Sequence, residues 1–162
     1  MQLDIREVGP EAFDDIWPIL QEVLAGEDSY PQPADFTLDE GRAFWFAPGA
    51  RVYNVHVDGE LVASRYIVPN KPGLGAHVCN TGVIIKKSWR GKGLGRRLND
   101  FAVGKARELG FRAIQLNFVV STNAASIRIC RDNGFEIVGT LPEAFHYKRQ
   151  RYVDAYVMFR KL

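Results

Sequence analysis

The sequence predicts a mixed α/β domain on one central sheet of about seven strands, flanked by about four helices. Three observations carry this reading. Short runs of alternating apolar and polar residues recur along the chain, Asp58-Gly59 between two apolar runs is a strong hairpin signal, and two helical stretches in the second half end on glycine, Gly110 and Gly134.

Taken in order, residues 3–8 alternate and read as the first strand. Pro10 suits the first turn of a helix reaching about Leu24, with Phe13, Ile16, Trp17 and Leu20 on one face. Residues 27–33 are rich in turn formers, and Thr37 with Glu40 makes a capping-box pattern before a short helix through Phe46. Strands at 52–57 and 61–68 flank the Asp58-Gly59 turn, and a Pro/Gly loop follows at 69–75. A strand at 77–85, an amphipathic helix at 94–109, a strand at 113–119, a helix at 123–133 and strands at 136–139 and 153–159 complete the order. The whole chain, 1–162, reads as a single domain.

Composition sets the function classes. A domain of 162 residues buries roughly 70% of the surface its unfolded chain exposes, enough to stand without disulfides or a structural metal. The net charge of +2 gives no argument for a nucleic-acid partner. Cys79 and Cys130 lie far apart inside apolar runs, with no spacing that suggests metal, so no metal is expected and a reducing, cytoplasmic setting is. The first residues carry acids where a signal peptide needs a basic start, and no apolar stretch approaches the ~20 residues of a membrane span, so no membrane partner is expected.

The chemistry concentrates in residues 83–98. A strand there feeds a loop with glycines at 91, 93 and 95, where a long helix begins. Glycine lets backbone N–H groups approach a ligand without an obstructing Cβ, and the helix start adds unpaired donors and partial positive charge. Arg90, Lys92 and Arg96 surround the same place. Together these residues describe a pyrophosphate cradle. The P-loop pattern is absent, and the GxGxG spacing differs from the dinucleotide fingerprint.

Arg90-Gly91-Lys92-Gly93-Leu94-Gly95 resembles the R/Q-x-x-G-x-G/A signature of the GCN5-related N-acetyltransferases (GNAT). Asn123-Ala124-Ala125-Ser126, Asn133-Gly134-Phe135-Glu136 and Val138-Gly139 resemble that family's second motif, at the usual separation. The resemblance implies that the strands around 83–85 and 113–119, fourth and fifth in order, splay apart. The pantetheine arm of acetyl-CoA would lie in the gap. Val83, Ile84 and Ile85 are then cofactor-binding, with the backbones of Val83 and Ile85 pairing with the arm. Arg90, Gly91, Lys92, Gly93, Leu94, Gly95 and Arg96 hold the pyrophosphate, and Asn117, Asn123 and Ser126 lie along the arm. The implied activity is direct acetyl transfer to an amine, without a covalent enzyme intermediate. The family pattern also admits a homodimer.

Many relatives carry a tyrosine seven residues after the motif asparagine as general acid. Here that position is Cys130, either a small apolar core residue or a thiol in the acid role. No Asp or Glu stands in the strand at 77–85 to act as base. His77 is a candidate proton relay as well as a candidate structural histidine. Asn80 and Asn117 fall mid-strand among apolar neighbours, where an amide needs a partner. They read either as core amides that satisfy the backbone or as catalytic amides.

A finer resemblance, to fungal L-azetidine-2-carboxylate (proline-analogue) acetyltransferases, runs through Ser29-Tyr30-Pro31, Phe44-Trp45-Phe46, Pro69-Asn70, Asn80-Thr81-Gly82, Asn117, Asn123 and 152–155. It implies a small-molecule amine or imino acid as acceptor, with Asn80 in contact with it. Tyr30, Trp45 and Tyr66 are candidates for the acceptor wall, although for each aromatic singly core packing is the commoner explanation. The basic run at 147–151 reads as a solvated loop or as a reach toward a phosphate or an acidic acceptor. Acetylation of a peptide N-terminus, which needs an open groove beside the loop after Gly139, and a CoA-binding module without catalysis are the alternatives.

Overall fold

The computed structural model describes residues 1–162. Its strands are β1 (Asp4–Val8), β2 (Arg51–Val57), β3 (Glu60–Pro69), β4 (Val78–Ile85), β5 (Ala113–Val120), β6 (Glu136–Tyr147) and β7 (Arg151–Lys161). Its helices are α1 (Phe13–Ala25), α2 (Leu38–Trp45), α3 (Leu94–Glu108) and α4 (Ala124–Asp132). All seven strands join one sheet in the order β1-β2-β3-β4-β5-β7-β6. The mixed sheet and four helices are those the sequence predicts.

Local chemistry sets most boundaries. Pro10 opens a single 3-10 turn ahead of α1, which buries Phe13, Ile16 and Leu20 completely. Thr37 and Glu40 make both bonds of the capping box, a device worth about 1 kcal/mol. Asp58 and Gly59 are both left-handed, at φ 49° and 83°, as the tightest hairpin turn requires. Helices α3 and α4 close alike, with Phe111 N–H donating to the Ala106 carbonyl and Phe135 N–H to the Cys130 carbonyl, each at 3.0 Å.

Strand alternation divides the core. On one face α1 and α2 pack with Val52, Tyr66 and Ile84. On the other, α3 and α4 cover Ile67, Cys79 and Ile114, with Leu94 and Leu98 on Val55 and Ala63.

Three expectations change. The strand expected to end at Gly139 continues to Tyr147, because β6 is the sheet's edge strand and tolerates Pro142 where the register slips between Leu141 and Phe145. The basic run at 147–151 is therefore a hairpin turn: Lys148 N–H donates to the Glu27 carbonyl at 2.9 Å, and Arg149 Nε to Glu27 Oε1 at 2.7 Å. His77 sits in the turn before β4, its carbonyl accepting from Arg112 N–H at 2.8 Å.

The parallel pair β4–β5 is paired only at Val78↔Ala113 and Cys79↔Ile114. Beyond those residues the strands part, while β3 stays paired with β4 to Ile85. A bulge in β5 between Leu116 and Val119 also takes Asn117 and Phe118 out of register with β7.

Gly82 has a close neighbour: a Cβ there would lie 2.5 Å from Cε1 of the Tyr66 ring, which is itself held edge-on by Trp45 at 4.9 Å. Gly82→Ala is expected to destabilise the protein by about 1–3 kcal/mol through overpacking. Gly104→Ala, mid-α3 with nothing within 4 Å of the added carbon, is expected to stabilise it by up to about 1 kcal/mol. Urea-melt midpoints of the two variants check both signs.

Candidate active site

Backbone direction along β4 decides what the gap can bind. The Val78 carbonyl accepts from Asn70 N–H and Lys86 N–H donates to the Val62 carbonyl, both toward β3, whereas the His77 carbonyl bonds to Arg112 beside β5. Even-numbered residues thus face β3, and Thr81, Val83 and Ile85 turn their amides into the gap, where β5 gives them no ladder partner. Side chains take two of the carbonyls: Tyr30 Oη donates to Val83 at 2.9 Å and Arg90 Nε to Ile85 at 3.1 Å. Ile84 departs from expectation. Its backbone faces β3 opposite Ser64 and its side chain is buried in the core, so it presents no polar group to the gap.

At one end of the gap lies the glycine loop. Gly91 and Gly93 are left-handed, at φ 75° and 77°, and an added Cβ on either would meet nothing. Gly93 is the N-cap of α3 with no side chain on the helix's free N–H groups, and the first turn carries no acid. Leu94 is buried and anchors the turn, while Gly95 lets Ile129 of α4 pack close. Arg90, Lys92 and Arg96 are exposed around it, Lys92 above the Trp89 ring and Arg96 facing Asp132 at 4.0 Å. Open donors in a first turn without an acid, with Arg90 and Lys92 outside any ion pair and Arg96 only loosely paired with Asp132, fit a pyrophosphate.

At the α1/α2 face, Tyr30, Phe44, Trp45 and Tyr66 contact one another edge to face or tilted, with centroids 4.9–6.5 Å apart. Tyr30 reaches the gap, and Tyr66 lies over Gly82 of β4 beside Asn80. Trp45 does not: it is 0% exposed, donates to Ser64 Oγ at 3.0 Å, and backs Tyr66 instead of lining a pocket. Asn80 is half-buried in β4 on this face. Burial pushes the Tyr66 phenol up, with the Arg65 charge and the Asn80 side chain pulling against it. Asn117 is exposed on β5, donating to Asn70 Oδ1 at 2.7 Å and accepting from Gln115 Nε2 at 3.0 Å. Asn70, part of the Pro69-Asn70 motif, and Gln115, a polar residue inside a strand, join the site without having been assigned a role from the sequence.

On the α3/α4 face, Asn123 is the N-cap of α4 and accepts from Ser126 N–H at 3.2 Å, so both expected residues sit at that helix start and the Asn123 NH2 group stays free. Cys130 is 4% exposed in the core and takes a long contact from Asn99 Nδ2 at 3.6 Å; burial pushes its thiol up. His77 lies at the closed, paired end of β4 and does not face the gap. No helix is long and apolar enough to cross a membrane.

Residues 11–135 match the family model described as "Acetyltransferase (GNAT) family". The chain is 31% identical over 146 residues to the N-acetyltransferase aca1 of Schizosaccharomyces pombe, covering 80% of this chain and 70% of the relative. It is 28% identical over 140 residues to the L-amino acid N-acetyltransferase AaaT of Escherichia coli, covering 86% and 84%. Among solved structures, a GCN5-related N-acetyltransferase from Kribbella flavida superposes with TM-score 0.91 at 34% identity, over 99% of this chain and 98% of that one. YncA from Salmonella typhimurium, solved with acetyl-CoA, has TM-score 0.86 at 22% identity over 100% and 95%, a likeness of fold. The parted strands, the open glycine turn and these matches lead to one conclusion: the chain belongs to the GNAT family, as an acetyl-CoA-dependent N-acetyltransferase.

Proposed function

We propose that this chain acetylates the amine of a small molecule, an amino or imino acid of the proline-analogue kind, in the gap between β4 and β5. The observation that carries the acceptor class is the bond between the β6–β7 turn and Glu27, through Lys148 N–H at 2.9 Å and Arg149 Nε at 2.7 Å. It ties the hairpin to the connection between α1 and α2, next to Tyr30, on the side where a peptide N-terminus would need an open groove, and so supports a small acceptor. The L-amino acid acceptor of AaaT supports the same class.

Acetyl-CoA supplies the thioester whose acetyl group passes directly to nitrogen. The chain's part is to bind and orient. Gly91, Lys92, Gly93, Leu94, Gly95 and Arg96, with Arg90, hold the pyrophosphate, and Val83 and Ile85 pair with the pantetheine amides in place of β5. Asn117, Asn123 and Ser126 flank the arm. Asn80 orients the acceptor beside Tyr30 and Tyr66, and Asn80 and Asn117 present amide donors to the reacting carbonyl. With no carboxylate in β4, the amine loses its proton to water or arrives neutral. Both cysteines are free, which fits a reducing, cytoplasmic setting.

Thiol release from acetyl-CoA over proline analogues, free amino acids, polyamines and short peptides tests the acceptor class. The highest kcat/KM is expected on amino or imino acids, and a preference for peptides would overturn the reading. Gly93→Val places a branched side chain at φ 77°, strained by about 1–3 kcal/mol, and is expected to raise the acetyl-CoA KM by about tenfold or more. Asn80→Ala is expected to lower kcat/KM for the acceptor by about 10–100-fold, the loss of one or two hydrogen bonds, while acetyl-CoA affinity by calorimetry stays within about twofold.

A further inference from the structure

Arg65 is the one charged side chain in the core, 2% exposed, and it joins no ion pair. Its Nη1 donates to Thr81 Oγ1 at 3.0 Å and its Nη2 to Asn99 Oδ1 at 2.8 Å, while Nε is buried with no partner. A guanidinium withdrawn from water with only neutral acceptors is a costly thing to build into a fold. Burial lowers its pKa to about 10, so it remains a cation at neutral pH. Tyr53 stands opposite it on β2, and the Cys130 thiol of α4 contacts its partner Asn99. Its hydrogen-bond partners, on β4 and α3, are uncharged.

The place of this charge is informative. Thr81 is the first β4 residue beyond the β4–β5 pairing whose amide turns into the gap. A chain paired as a strand with Ile85 and Val83, starting from the glycine turn, advances ~3.3 Å per residue and reaches Thr81 ~13 Å on from Ile85. Its far end carries the sulfur three bonds beyond the second amide, which puts it between Val83 and Thr81, the residue that Arg65 holds. None of the acids nearby is matched to the sulfur. Burial raises the Cys130 thiol and both the Tyr30 and Tyr66 phenols above their ordinary values, so each keeps its proton more tightly than a CoA thiolate would, whose conjugate thiol has a pKa of about 8.5.

We propose that Arg65 receives the departing sulfur electrostatically: its guanidinium, held by Thr81 and Asn99, stabilises the CoA thiolate at the inner end of the gap in place of a general acid. The acceptor nitrogen bonds to the acetyl carbon, the C–S bond breaks with its electron pair left on sulfur, and the nitrogen's proton passes to water. Arg65 acts through its field and through Thr81, which makes it a positioning residue. This rests on the reading of the gap as the acetyl-CoA site.

The test is calorimetric binding of CoA and of S-methyl-CoA, which cannot ionise at sulfur, to the whole protein between about pH 6 and 9.5. With Arg65 present, CoA affinity is expected to gain about tenfold on S-methyl-CoA as pH rises, the signature of a bound thiol about one pKa unit below its free value. Arg65→Met is expected to abolish that gain and to lower kcat with little change in acetyl-CoA KM. Arg65→Lys should restore part of both. Parallel curves in the wild type, or an unchanged gain in Arg65→Met, would overturn the proposal. The wild-type pair of curves decides alone if Arg65→Met fails to fold. Failure of either ligand to bind overturns the acetyl-CoA reading as well, whereas tight binding of both without a pH-dependent gap overturns only the role of Arg65.

Discussion

A parallel sheet normally closes every rung between neighbouring strands, and here β4 and β5 close only two residue pairs before parting. The rest of the site follows from that failure. Buried backbone amides must find partners, and those of Val83 and Ile85 have lost theirs. Two side chains reach in for the carbonyls, Tyr30 from the connection after α1 and Arg90 from the turn before α3. Side chains swing away more easily than a ladder unzips, so a strand-like guest exchanges bonds without disturbing the sheet. The bulge at Asn117-Phe118 does the matching work on β5, bending that strand just beyond its last pair with β4 at Ile114.

Much of this was legible from residue order, for physical reasons that act over short distances. Thr37 and Glu40 bond to each other's backbone three residues apart, Asp58-Gly59 needs only its own dihedrals, and Gly91 and Gly93 announce a turn that no other residue adopts easily. The parting itself came from a family resemblance, because nothing in the composition of 77–85 or 113–119 says that pairing stops after two rungs. The edge strand was misread for a definite reason. Gly139, Pro142 and Glu143 carry turn chemistry, and only the sheet context shows that β6 lies on the edge, where a proline and a left-handed residue are absorbed as irregularities.

Arg65 was hidden by the opposite problem. In the run 61–68 it reads as a polar residue on an alternating strand, and its partners lie 16 and 34 residues away on other elements. Trp45 misled in the same way from the other direction: an aromatic at the end of a short helix suggests a pocket wall, yet its indole N–H is satisfied by Ser64 deep in the core. Distance in sequence separates what was readable from what was not, and the chemistry that matters most at this site is long-range.

Strand alternation also explains how one segment serves two demands that conflict. An acceptor zwitterion needs neutral, orientable donors and acceptors, since a fixed cation near its amine would oppose binding. A departing thiolate needs the reverse. Successive residues of β4 point to opposite faces: Asn80 toward Tyr66 with the aromatic and amide groups of the α1/α2 side, Thr81 toward Arg65 and the α3/α4 side. Under the proposed reading, amides gather on one face and the buried cation on the other. The charge thus acts on the sulfur through the sheet's second face, apart from the amine. A single-residue slip of β4 against β3 would exchange the two faces and put the cation's partner on the acceptor side, and the full-length pairing from Ala63↔Ile85 to Pro69↔Cys79 holds that register.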